Sequence, residues 1–194
     1  MPSVLAQEGP YSQSPMLDSR VESGKLPSLE ERLPKNPRVI EVADQIGNYG
    51  GELDIIDLEE AKTVLVEHSL ETLPNPGFKE SDMEANILSD WTVSKDGKTF
   101  TFMIRKGLKW SDGHPVTTED VRFTLEDLYS ISAIFPTYPE WLKRGGEKVE
   151  LNIINDHEFE LVFAEKYGIF PLRLQSINNG SYHQLISPSN KKKK

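Results

Sequence analysis

Ser111, Asp112 and His114 put a hydroxyl, a carboxylate and an imidazole within four residues, the three groups of a nucleophilic triad. A working triad draws its members from separate parts of a fold, whereas Ser-Asp-Gly-His-Pro is the composition of a turn. The acid pairs Glu59-Glu60 and Glu119-Asp120 could act as acid and base only by accident of folding. The second has a sufficient local reason, because carboxylates are favoured at the first turn of a helix. The four histidines, His68, His114, His157 and His183, form no His-x-His or His-x-x-x-His pair, so no local metal site is expected. With no cysteine at all, disulfides, thiolate metal sites, iron–sulfur clusters, cysteine nucleophiles and thioether lipid anchors are excluded. Gly50-Gly51 and Gly145-Gly146 lack the spacing and the Lys-Ser/Thr of a phosphate loop. Asn179-Gly180-Ser181 fits a glycosylation triplet but reads as an ordinary turn. No catalytic residue, metal ligand or cofactor is assigned. By elimination the residues favour a binding or structural module.

The elements that would position a binding group are clearest over 87–129. Trp91 and Val93 alternate with polar neighbours, as do Phe100, Phe102 and Ile104, across the turn Ser94-Lys95-Asp96-Gly97-Lys98. That pattern predicts a hairpin whose aromatic side chains face one core. Lys106-Gly107 and Ser111-Asp112-Gly113 predict two further turns, and Thr117 with Asp120 makes a variant capping box. Val121, Leu125 and Leu128, flanked by Phe123, then give a helical stripe ending near Ser130 or Ile131. After the Pro-rich link 134–139, residues 140–143 predict one helical turn closed by Gly145-Gly146. Val149, Leu151 and Ile153, then Phe159, Leu161 and Phe163, alternate about Asn155-Asp156 as a second hairpin. Residues 169–174 predict a final buried element.

Upstream, Arg38-Val39-Ile40-Glu41-Val42 predicts a strand, 47–51 a tight loop, and 53–56 a further strand. The stretch around 58–66 fits a short helix and a strand equally well, and Pro74-Asn75-Pro76-Gly77 predicts a turn. The result is a mixed α/β (α+β) fold, hairpins with few helices, and not a βαβ alternation. Three regions are expected. Residues 1–38 form an extended Pro-rich strap; 39–177 form the folded domain; 178–194 form a polar, Lys-rich tail that looks unfolded or foreign. Val4 and Ala6 match the end of a cleaved secretory signal.

The 194 residues suffice for one domain or slightly more. No apolar run nears the ~18 residues of a membrane helix, which argues against an integral membrane protein. Net charge is −9; setting aside Lys191 to Lys194 leaves 18 basic against 31 acidic residues, or −13. Such a body repels phosphate backbones, so no nucleic-acid partner is expected.

One run is far more specific than these patterns. Asp90-Trp91-Thr92-Val93-Ser94-Lys95-Asp96-Gly97-Lys98-Thr99-Phe100-Thr101-Phe102, continued by Ile104-Arg105-Lys106-Gly107-Leu108-Lys109-Trp110-Ser111-Asp112-Gly113-His114-Pro115-Val116-Thr117, resembles the extracellular solute-binding proteins of family 5. These are the peptide, nickel and oligosaccharide receptors of ABC importers. Asn48-Tyr49-Gly50-Gly51, Trp141-Leu142 with Gly145-Gly146, and Tyr167-Gly168 agree with the resemblance, as does Gln7-Glu8-Gly9-Pro10-Tyr11, like the mature start of some larger members.

The resemblance implies a two-lobed, type II periplasmic-binding-protein fold, of which this chain is the first lobe with its extra β-hairpin/helix subdomain. Family members are more than twice this length, so the chain reads as a fragment lacking half its cleft. It implies a monomeric receptor that captures an oligopeptide or oligosaccharide and delivers it to a membrane permease. It also implies export to the periplasm or extracellular space, without a lipoprotein cysteine. In peptide-binding relatives an aromatic in the loop after the capped helix reaches the cleft. The matching loop carries Phe135, Tyr138 and Trp141, and these are the candidate ligand contacts, with Tyr49 and Asn48 beside the first glycine pair. A structural or interaction domain reusing this subdomain is the alternative. A hydrolase would need a nucleophile or acid/base cluster that cannot be assembled from these residues.

Overall fold

The computed structural model describes residues 11–40, 45, 47–52, 74–76, 83–175, 177–178, 181–182 and 185–191. The chain divides into two units, Met1–Ile56 and Asp57–Lys194, each considered by itself.

In the first unit a 3₁₀ turn at Pro15–Leu17 leads into α1 (Asp18–Glu22), and α2 follows at Leu29–Arg32. The prolines expected to break all regular structure instead bracket these short helices. Pro15 opens the first turn, and Ser28 with Glu31 forms a capping box for the second. Neither helix buries a residue, so the segment contributes no core of its own. The expected strand at 38–42 does not form at Arg38, Val39 or Ile40, and Val39 and Ile40 are exposed. Alternation makes a strand only where a partner supplies the hydrogen bonds, and no described residue does so here. Residues 41–42, the strand expected at 53–56 and the ambiguous stretch at 58–66 lie outside the described residues, as does the signal-like start. Residues 47–52 are irregular, as the glycine pair predicts.

The second unit opens with β1 (Pro74–Pro76), paired antiparallel with β2 (Met83–Ala85). The Pro-Asn-Pro run is therefore an edge strand and not the expected turn; proline is tolerated where its missing N–H faces no partner. The two expected hairpins are β3 (Leu88–Val93) with β4 (Thr99–Ile104), and β7 (Glu150–Asn155) with β8 (Glu158–Val162). They join through β4 and β8 into one four-stranded antiparallel sheet of order β3-β4-β8-β7, with Phe100 opposite Leu161 and Phe102 opposite Phe159. Leu88, Phe100, Phe102, Ile104, Phe159 and Leu161 line its inner face and are at most 1% exposed. A bulge between Leu88 and Asp90 changes the parity of β3, which puts Leu88 and Trp91 on one face although they are three residues apart. Val93, at the strand end, is exposed despite its alternation.

Helix α3 (Thr118–Arg122) continues through a π turn at Phe123–Asp127 and a 3₁₀ turn at Leu128–Ser130. The wider π turn shifts the buried stripe to Val121, Leu125 and Tyr129, in place of the predicted Leu128. Asp120 caps this helix from a buried position. Its carboxylate accepts Thr117 N–H at 3.0 Å, Trp110 Nε1–H at 3.0 Å and Ser189 N–H at 2.8 Å. Three separate segments meet on one side chain.

A 3₁₀ turn at Glu140–Leu142 is followed by β5 (Lys143–Arg144) and β6 (Glu147–Lys148). Gly145 (φ 59°) and Gly146 (φ 82°) form the two-residue loop between them and do not close the helical turn, as was expected. Two successive positive φ values are the requirement of a tight hairpin, which glycine meets without strain. Helix α4 (Phe170–Gln175) seats Phe170 in the core. A short hairpin of β9 (Ile177–Asn178) and β10 (Ser181–Tyr182) follows. Leu185, Ile186 and Ser187 are buried, so this part of the expected tail packs into the domain. Two apolar residues suffice here because Asp120 ties down the backbone beyond them.

Candidate functional site

Two clefts among the described residues of the second unit touch the loop singled out by sequence. The larger, about 440 Å³, lies between the β5/β6 hairpin and the start of α4, and is lined by Glu140, Trp141, Lys143, Arg144, Tyr167 and Arg173 with the two hairpin glycines. Leu142, fully buried, anchors one wall, and its carbonyl accepts Val149 N–H at 2.8 Å. The adjacent Trp141 is thereby presented at the cleft, stacked on Phe170 at 6.1 Å between ring centroids and 16° between planes. Tyr167 also lines the cleft. Its N–H donates to Gly97 O at 2.9 Å, and its ring meets Phe163 at 5.1 Å and Phe170 at 5.3 Å. The guanidinium of Arg144 sits 3.4 Å from the Tyr167 ring centroid, a cation–π contact at stacking distance. Lys143 Nζ pairs with Glu140 Oε1 at 2.7 Å.

The second cleft, about 370 Å³, is lined by Leu125, Glu126, Ser130, Tyr138 and residues 148–151. Lys148 Nζ stands 4.6 Å from the Tyr138 ring centroid. Phe135 and Tyr138 both meet buried Tyr129 edge-on, at 4.8 and 5.9 Å. Burial pushes the Tyr138 phenol up to about 12 and the Tyr129 phenol higher still.

Trp141, Tyr138 and Phe135 are thus all half-buried, but only Trp141 reaches the larger cleft and only Tyr138 the smaller. Phe135 lines neither. Asn48 and Tyr49 lie in the first unit, both exposed in an irregular loop. Sequence reasoning did not single out Arg144 or Arg173 and noted Tyr167 only within a resembling dipeptide. The available signal was the basic pair Lys143-Arg144 directly before a Gly-Gly turn, which fixes where the second cation is carried.

The Ser111/Asp112/His114 group is a turn. Asp112 Oδ1 accepts His114 N–H at 3.2 Å, Oδ2 accepts Asn190 Nδ2–H at 2.8 Å, and the imidazole Nδ1 is 3.8 Å from Oδ1. Among the described residues no cluster of three His, Asp or Glu side chains is placed to hold a metal, and no helix is long and apolar enough to cross a membrane.

Residues 82–194 match the family model described as bacterial extracellular solute-binding proteins, family 5 Middle. A periplasmic alpha-galactoside-binding protein of Rhizobium meliloti is 30% identical over 76% of this chain and 24% of its own length. Among solved structures, an oligopeptide-binding protein OppA superposes with a TM-score of 0.75 at 30% identity, covering 86% of this chain and 26% of its own. The periplasmic binding protein MelB of Agrobacterium fabrum, solved with stachyose, gives 0.55 at 26% identity, over 85% and 28%. The chain spans about a quarter of the length of these relatives.

Proposed function

We propose, from the premise that this chain belongs to the bacterial extracellular solute-binding proteins of family 5, that it forms part of the first lobe of an importer's solute receptor. The receptor is non-catalytic and works outside the cytoplasmic membrane, in the periplasm or extracellular space. It captures an oligopeptide or oligosaccharide and presents it to an ABC-type permease. The similarity to OppA at TM-score 0.75 carries this reading, because it extends over most of the chain and beyond the matched run. The larger cleft supports it physically: a concave site of ligand size, with an aromatic wall and a few polar groups. Trp141 is the first ligand contact we assign, since it combines a broad face with an indole N–H. Tyr138 follows at the smaller cleft, and Phe135, Tyr49 and Asn48 are lesser candidates, each considered within its own unit.

The test is amide chemical-shift mapping of the isotope-labelled chain against pooled tripeptides and, separately, stachyose. This method registers binding as weak as ~1 mM, about −4 kcal/mol, which half a cleft can still supply. Saturable shifts at Trp141 and its neighbours support the receptor reading. A folded chain that gives no shift with either ligand class would count against it and favour an interaction domain.

A further inference from the structure

The helix that begins at Thr118 carries two incompatible registers in one sequence. At 3.6 residues per turn, Val121, Leu125 and Leu128 share a face, and α spacing turns Leu128 inward. The π turn at Phe123–Asp127 moves the stripe on by one residue, so Tyr129 is only 5% exposed and Leu128 is left half-buried. The backbone shows the competition at Leu128 itself. Its N–H is shared between Phe123 O, the π acceptor five residues back, and Thr124 O, the α acceptor four back.

Side chains hold the π register. Arg122 pairs with Glu119 at 2.5 Å, Glu126 at 3.2 Å and Asp127 at 3.3 Å. The first two spacings, three and four residues, suit an α-helix. The third does not. Residues five apart on an α-helix stand roughly 140° apart around its axis, and a wider turn is needed to bring Asp127 to the same guanidinium. The Arg122–Asp127 pair is therefore specific to the π register. Fully buried Thr124 adds a second hold: its Oγ1–H donates to Asp120 O at 2.8 Å, a back-bond of the kind that bends helices. The third is the Tyr129 ring, which meets Phe135 and Tyr138 edge-on at 4.8 and 5.9 Å.

We propose that residues 123–129 form a register switch. In the π register seen here, Tyr129 fills the seat against Phe135 and Tyr138. In the α register Leu128 takes that seat, Tyr129 turns outward, and the two loop aromatics lose their anchor. Leu125, Glu126 and Ser130 line the smaller cleft together with Tyr138, so the shape of that cleft belongs to the register. A body that fills the cleft in one register selects that register. The switch is a property of the second unit and stands whether or not the chain receives a solute.

The test is NMR relaxation dispersion on the isotope-labelled full chain, which reads minor states exchanging in μs–ms. Amides of residues 124–130 and the Leu128 methyls should report one common exchange process, with the minor-state methyl shifts moved upfield by the Phe135 and Tyr138 rings. Asp127→Asn, which removes the π-specific ion pair, should raise the minor population about twofold. Glu126→Gln, whose pair suits both registers, should leave it unchanged. Deleting Glu126, an exposed residue of the turn, sets Val121, Leu125 and Tyr129 at plain α spacing and should abolish the exchange with Tyr129 still buried. Absence of exchange in both the wild type and Asp127→Asn would overturn the proposal, as would exchange confined to 131–138 with 124–130 silent. Equal effects of Asp127→Asn and Glu126→Gln would overturn it too, because the ion pairs would then report general destabilisation alone. The wild-type measurement does not depend on any variant folding.

Discussion

Asp120 is the most exacting place to test how this domain is held together. Its carboxylate is 2% exposed and accepts three N–H groups, from Thr117, Trp110 and Ser189, at 2.8–3.0 Å. Charge-assisted hydrogen bonds contribute roughly 1.5–3 kcal/mol each, but three that share one acceptor group do not add. Removing the carboxylate with Asp120→Ala also leaves three donors without a partner, so we expect a loss of about 3–5 kcal/mol. At roughly 2–4 °C per kcal/mol for a chain of this size, the melting temperature should fall by about 10 °C. Asp120→Asn separates the contributions. Its carbonyl oxygen can still serve Thr117 and Trp110, while its amide NH₂ then faces Ser189 N–H, donor against donor. About half the loss should result, together with faster amide exchange at Ser189 but not at Thr117. Urea unfolding and hydrogen exchange measure both quantities. An alanine variant within ~0.5 kcal/mol of wild type would refute the claim that this side chain joins the three segments. Asparagine costing as much as alanine would refute the assignment of the individual bonds.

Phe170→Ala should cost about 3–5 kcal/mol, since the ring is fully buried and meets Phe100 at 5.0 Å and Phe163 at 4.8 Å; the fluorescence of Trp141, which loses its stacked neighbour, should change, and a loss under ~1 kcal/mol would show that the cluster can collapse into the gap. Asp96 is held below the ordinary carboxylate range, chiefly by the Ser94 hydroxyl and also by Lys98 N–H. Its stabilising contribution is present above the unfolded carboxylate value and is lost as pH falls through the lower folded one. Ser94→Ala should raise the Asp96 titration midpoint measured by carbon NMR, and an unchanged midpoint would exclude the hydroxyl as the cause. Tyr138 has its phenol raised to about 12 by burial, so the stability it contributes is complete below the unfolded value near ~10 and is lost as pH rises towards 12. Alkaline ultraviolet titration should show a late tyrosinate step that Tyr138→Phe deletes; a midpoint near ~10 for that step would contradict the burial.

What was legible in the sequence was local. The hairpins announce themselves because alternation and turn composition act within a few residues, and the Thr117–Asp120 box because its partners are three residues apart. The pairing of β4 with β8 was not legible, since Phe102 and Phe159 find each other by packing across the intervening helix and loops. Nor was the second role of Asp120, whose Ser189 partner lies 69 residues further along. Leu185 and Ile186 are too short an apolar run to stand out from a polar tail, yet both are buried. The aromatic loop drew attention to Trp141, Tyr138 and Phe135 on residue type alone. The structure divides them between two clefts and the Tyr129 cluster, because a half-buried aromatic takes whichever apolar neighbour is nearest. Arg144 escaped notice for the opposite reason: a surface arginine is unremarkable until the ring that orients it is known.

That ring shows how the core bears on recognition. Tyr167 is fixed through its N–H to Gly97 in the first hairpin turn, an edge contact to Phe163 and a tilted contact to Phe170, both of which meet Phe100 on the sheet. Leu142 pins the other wall, and the Gly145–Gly146 turn sets the register that carries Arg144 over the ring. Immobilising a free arginine costs up to ~2 kcal/mol of side-chain entropy, while a cation–π contact of this kind returns about 0.5–2 kcal/mol. The two nearly cancel, so the contact places Arg144 on the ring at little net cost. The run that resembles the family and the larger cleft are therefore not separate features. Gly97 belongs to the signature turn, and its carbonyl anchors Tyr167, the ring on which Arg144 rests.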